Sequence, residues 1–165
     1  MQHLHRVLLD LPHAGAHIPP EVKPYVSQSI TPNMIAEHRD TGSRKIFGNL
    51  PVGDIICNPS WRKLVDTNRD PSDGDAQSGW TKTVLNQWGQ PLYDEPPPEH
   101  AVQSLAERHA AHNRAITEHI RSRKHRIVMQ CHTMFAVERN FASSDITRPP
   151  SSMSVMERTA NQIPW

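Results

Sequence analysis

At 165 residues the chain is long enough for one domain with a respectable core. Its apolar fraction is 36%, on the low side, and it carries 15 prolines, which points to long ordered loops or to a core that is not complete in this chain. A net charge of about +1 with neutral histidine gives no field for nucleic acid or an anionic membrane, and the longest apolar runs are far too short to span a bilayer.

In chain order, residues 5–12 read as a strand, with no apolar stretch of signal-peptide type before it. The run Val7-Leu8-Leu9-Asp10-Leu11-Pro12 ends in His13-Ala14-Gly15. Residues 13–24 form a loop, where Pro19-Pro20 stops any regular element. Thr31-Pro32-Asn33-Met34 marks a helix start, with Thr31 as N-cap and Pro32 at the first position. That helix either runs on through Ile35 or breaks before Asp40, and residues 42–49 look helical again. Two short strands follow, over residues 54–57 and 63–66, the second leading into Thr67-Asn68-Arg69. Residues 70–79 hold Asp, Ser, Gly and Pro in quantity and read as a loop, and Asp94-Glu95-Pro96-Pro97-Pro98 as a stiff connector. Residues 99–123 give the clearest helix. Val102, Leu105, Ala106, His109, Ile116 and Ile120 approximate one face, and basic residues crowd its C-terminal end. A strand over residues 126–131 follows at once and ends in His132. Strand, helix, strand in this rhythm predicts an α/β sheet with helices packed on it. Past residue 150 the apolar period fades, and residues 151–165 read as poorly ordered or weakly docked. Cys57 and Cys131 sit inside apolar runs and read as buried free thiols, which fits a reducing cytoplasm.

Two of these strands therefore exit into a histidine. A residue at a strand exit sits at the mouth of the sheet, and two imidazoles on one rim with an acid nearby can build a catalytic zinc site. The competing reading of His13 or His132 is a loop histidine bonded to a neighbour. A catalytic zinc takes three protein ligands and keeps one position for water, so a carboxylate is wanted. Glu37-His38-Arg39-Asp40 offers candidates, of which Asp40 is favoured; a helix cap or a partner for Arg39 explains it nearly as well. Arg69 presents two parallel N–H donors suited to a carboxylate, Asn68 adds a neutral donor, and Asp66 can orient Arg69 from behind. The alternative is a surface ion pair with the adjacent Asp70. Gly15 lets backbone come close to a ligand.

Taken together, these segments resemble the N-formylglutamate amidohydrolase family, whose fold is related to zinc carboxypeptidases and aspartoacylase. The matching stretches are Pro12-His13-Ala14-Gly15 with Ile18-Pro19, Asp40-Thr41-Gly42, Leu64-Val65-Asp66-Thr67-Asn68-Arg69, Gly89-Gln90-Pro91-Leu92-Tyr93, His109-Ala110-Ala111-His112 and Cys131-His132-Thr133-Met134. Each is weak alone, but their shared order across residues 6–150 is specific. The resemblance implies a three-layer α/β/α fold with a mixed sheet, phosphorylase/hydrolase-like and zinc-carboxypeptidase-like, with its C-terminal part missing. It implies that His13, Asp40 and His132 bind Zn2+ and that Asn68 and Arg69 hold a substrate carboxylate. The implied reaction is hydrolysis of a small N-acyl amino acid, resembling conversion of N-formylglutamate to glutamate and formate in histidine catabolism. The implied partner is that small molecule, with no nucleic acid and no membrane, in the cytoplasm.

The chain departs from the family in two ways. Gln130 stands where the family usually has Asp before Cys-His, and loss of a carboxylate there is expected to weaken the metal site. Residues 1–150 read as an incomplete amidohydrolase-like domain and residues 151–165 as a divergent tail. The family's general acid/base glutamate comes from a later segment and is not matched by Glu138, Asp145 or Glu157. Three readings follow: an active zinc amidohydrolase, a truncated and inactive member that still binds metal or a carboxylate, or a small intracellular protein whose His and Asn-Arg residues are structural.

Overall fold

The computed structural model describes residues 4–72, 79–86, 89–122 and 124–133. Its centre is a three-stranded sheet in the order β2-β1-β3, formed by β1 (Val7–Leu11), β2 (Asp54–Cys57) and β3 (Ile127–Gln130). Both pairings are parallel, with Leu9 opposite Ile55 on one side and Met129 on the other. All sheet pairs among the described residues are parallel, so the mixed sheet implied by the resemblance is not seen among them. A central strand covered on both faces needs a continuous apolar run, and every residue of β1 is buried. A 3-10 turn over Leu4–Arg6 leads into β1 and takes the place of the expected first strand residues.

Strand periodicity splits β1 between two layers. Val7, Leu9 and Leu11 pack with Phe47 of α2 (Ser43–Phe47) and with Cys131. On the other face Asp10 meets His112 of α3 (Glu99–Arg121). Helices thus cover both sides of the sheet. The short α1 (Pro32–Glu37) starts as its sequence predicts: the Thr31 hydroxyl accepts from the Met34 amide at 3.3 Å, with Pro32 at the first position. Gly42, at φ 90°, caps α2 in a conformation that L side chains rarely adopt.

The expected strand at residues 63–66 does not form. Leu64 and Val65 are fully buried, but their amides donate to the Trp61 carbonyl at 2.9 and 3.0 Å in a turn. The Asn58 side chain explains this, because its amide donates to the Pro12 and Val65 carbonyls at 3.0 and 2.9 Å. A side chain thus serves the carbonyl that a neighbouring strand would have served. Trp61, Leu64 and Val65 then centre a second core with Val22, Leu85, Leu92, Ala101 and Leu105. Both cysteines are free, and burial pushes both thiols upward in pKa. No helix among the described residues is long and apolar enough to cross a membrane. The expected tail at residues 151–165 lies outside the described residues.

Candidate metal-binding active site

Parallel strands end on a common rim, and this one collects three of the residues singled out by the sequence. His13 lies just beyond β1 and His132 just beyond the adjacent β3. Asp40 comes from the segment between α1 and α2, where its amide donates to the His13 carbonyl at 3.0 Å. The Thr133 hydroxyl donates to the Thr41 carbonyl at 3.1 Å and ties the third segment to the same rim. The ligand atoms of His13, Asp40 and His132 all lie within 4.8 Å of one another, a set that could hold a metal ion. The two imidazole rings are 4.8 Å apart, centroid to centroid.

The cluster is supported from behind. His13 Nε2 lies 2.7 Å from Asp66 Oδ1. A carboxylate can only accept, so Nε2 carries a proton, and in the neutral ring Nδ1 is the nitrogen with the free lone pair. That Nδ1 is buried without a hydrogen-bond partner, and it faces Asp40 Oδ1 at 3.7 Å. His132 Nδ1 lies 2.8 Å from the other oxygen, Asp40 Oδ2. Two ring nitrogens therefore converge on the two oxygens of one carboxylate, around a place where a cation is wanted. An aspartate on the distal nitrogen of a ligating histidine fixes its tautomer and raises its basicity. The donor set fits zinc, which takes imidazole and carboxylate ligands.

The electrostatics agree. Burial alone would push the Asp40 carboxyl up, but contacts with His13 and His132 hold it well below the usual carboxylate range. Asp66 behaves the same way, held down by His13, Lys82 and Arg62 against its burial. Burial works against charge on His13, yet its contacts with the Asp40 and Asp66 carboxylates outweigh that and move its pKa upward.

The sequence missed the cations here. Asp66 accepts from Lys82 Nζ at 3.2 Å, from Arg62 Nη2 at 3.3 Å and from the Asn68 amide at 3.2 Å. Arg62 Nη1 also lies 3.9 Å from Asp40 Oδ1. Lys63 joins the group, its pKa lowered to about 8 by burial and then by Lys82 and Arg62. The signal was available, since these cations lie between Trp61 and Leu64 or two residues after Trp80, where an unpaired charge would be costly.

Three expectations change. Asp66 orients His13, not Arg69; it meets Arg69 only through its own carbonyl, which accepts from the Arg69 amide at 3.1 Å. Gln130 does not face the metal cluster. Its amide donates to Asp10 Oδ2 at 3.1 Å, and His112 Nε2 lies 2.9 Å from Asp10 Oδ1, so an acid at 130 would put two carboxylates together in the core. Gly15 serves a close backbone approach: a Cβ there would collide with the Pro59 carbonyl. Asn68 and Arg69 lie one turn beyond Asp66 with exposed side chains, and the Arg69 carbonyl is 3.0 Å from His109 Nε2.

The family model described as N-formylglutamate amidohydrolase matches residues 5–162. The fold superposes on the crystal structure of N-formylglutamate amidohydrolase from Ralstonia eutropha JMP134 with a TM-score of 0.63 and 20% identity, covering 80% of this chain. The chain spans about half of that protein, 55% of its length. No curated protein sequence matches the chain.

Proposed function

We propose, for a chain that belongs to the N-formylglutamate amidohydrolase family, zinc-dependent hydrolysis of the amide bond of a small N-acyl amino acid. The observation that carries this is the buried Nδ1 of His13, unpartnered and aimed at Asp40 while Asp66 holds the opposite nitrogen. His13, Asp40 and His132 would hold the zinc. When bound, the ion would polarise the amide carbonyl and lower the pKa of a bound water to about 7.

The chain's own groups support an acidic substrate. Arg62, Lys63 and Lys82 gather beside the cluster around the single carboxylate of Asp66. Arg62 is half-buried beside Asp40 and can offer a fork of N–H donors to a substrate carboxylate or to the amide oxygen. Arg69 and Asn68, exposed one turn away, suit the second carboxylate of an acyl-glutamate. Proton delivery to the leaving amine falls to a glutamate that the family resemblance does not match here. Glu138, Asp145 and Glu157 lie outside the described residues.

The test is formate release from N-formylglutamate by the full chain, with metal removed and then restored. Release that is lost on chelation and recovered with Zn2+ supports the proposal. Lack of a general acid typically costs about 10²–10⁴-fold, so the assay must reach that far. Tight Zn2+ binding without release would reject hydrolysis and leave a member that binds metal and carboxylate without turnover.

A further inference from the structure

The opposite end of the same sheet carries a second histidine-aspartate cluster. Asp54 is the first residue of β2, His119 lies in the last turn of α3, and His125 sits just ahead of β3. Their ligand atoms also lie within 4.8 Å of one another. His125 Nε2 is 3.0 Å from Asp54 Oδ2, and His119 Nδ1 is 3.7 Å from the same oxygen. Ligand bonds of about 2.0–2.1 Å at a tetrahedral angle put donor atoms about 3.3 Å apart, which these spacings bracket.

A second observation singles out this cluster. The His125 side chain is 0% exposed, and neither of its ring nitrogens has a hydrogen-bond partner. The short approach of Nε2 to Asp54 is out of line for a hydrogen bond. Orphaned nitrogens in a fully buried ring cost free energy unless something else binds them. Gly53 makes the approach possible, since a Cβ there would lie 2.7 Å from His125 Nε2. Asp54 and His119 are about a third exposed, at 32% and 30%, so the cluster is open to ions on one side.

We propose that Asp54, His119 and His125 form a second divalent-metal site, separate from the His13 cluster and structural in role. Two imidazoles with one carboxylate suit zinc or a neighbouring borderline transition metal, and give too few oxygens for calcium. Water fills the fourth position. The ion would clamp the end of α3 to the start of β2 and to the turn entering β3. Its competitor is Lys124, whose ammonium lies 2.6 Å from Asp54 Oδ2 on a side chain 58% exposed. An exposed pair of that kind is readily displaced.

Calorimetric titration of the chelator-stripped full chain with Zn2+ tests this. Two equivalents are expected for the natural chain, and one each for His132→Ala and His119→Gln. Lys124→Ala should tighten the second site by about two- to fivefold, the scale of one exposed ion pair removed. Zn2+ should raise the melting temperature of His132→Ala and leave that of the double variant His132→Ala/His119→Gln unmoved. A His132→Ala chain that neither binds Zn2+ nor gains in melting temperature overturns the proposal. Failure of the His13 cluster alone reads differently: His132→Ala would then leave the stoichiometry unchanged.

Discussion

The two ends of the sheet hold the same residue types, two histidines and an aspartate, in different settings. At the C-terminal ends of the strands Asp40 is buried, and His13 is gripped from behind by a second aspartate that is itself 0% exposed. At the N-terminal ends Asp54 is a third exposed and is shared with a solvated lysine. The first cluster is preorganised by buried charge; the second is open to solvent. Ligand chemistry is therefore common to both, and it is the supporting layer that separates a candidate reaction centre from a clamp.

The largest effect should come from removing a ligand at the buried end. His132→Ala is expected to weaken metal binding there by more than about 100-fold, beyond the range typical of orienting partners, and to end metal-dependent hydrolysis. His119→Gln should leave the rate of formate release unchanged. Equal losses from the two variants would break the distinction. Asp66→Asn comes next. It keeps the shape but gives His13 Nε2 a poorer partner and leaves Lys82 and Arg62 short of a counter-charge. About 10–100-fold lower metal affinity is expected, with about 3–5 kcal/mol lost in denaturant unfolding, as for a broken buried pair.

Arg69→Ala is expected to cost about 1.5–3 kcal/mol of substrate binding, read as a rise in KM at constant metal affinity. Arg69→Lys should restore only part, since an ammonium cannot hold two oxygens in a fork. An unchanged KM would remove the carboxylate clamp from the account. The smallest effect is a pH slope. Lys63 titrates at about 8 in the folded chain against an ordinary 10.5. Between those values the unfolded chain holds the proton and the folded one does not, so this group adds stability as pH rises from about 8 to 10.5. That contribution is lost as pH falls through 8. Lys63→Met should flatten the slope in melting temperature over that window.

Much of this architecture could be read from the sequence where one element dictates its own form. The β1 run, the Thr31-Pro32 helix start and the long α3 each carry their signal within a few residues. The meeting of His13, Asp40 and His132 was legible because parallel strands share an exit rim, and because the family motifs keep their order. The turn at residues 62–64 was not legible, since Asn58 replaces a strand partner from outside the run. The role of Asp66 was missed for a similar reason: its partner His13 is 53 residues away, while Arg69 is the neighbour in sequence. The cation group escaped notice because Lys82 joins Arg62 only through the fold. Gln130 looked like a lost metal-site acid until Asp10 showed what its amide is for.

Asp10 also ties the first strand to segments made much later in synthesis. It is the fourth of five residues in the first strand made, and its two carboxylate oxygens are met by His112, 102 residues later, and Gln130, 120 residues later. At about 5–20 residues per second, roughly 6–24 s pass before that carboxylate has both partners. Until then β1 has β2 to pair with but lacks β3, and its acid lacks its partners. The sheet therefore cannot close around Asp10 until β3, at the far end of the described chain, has been made.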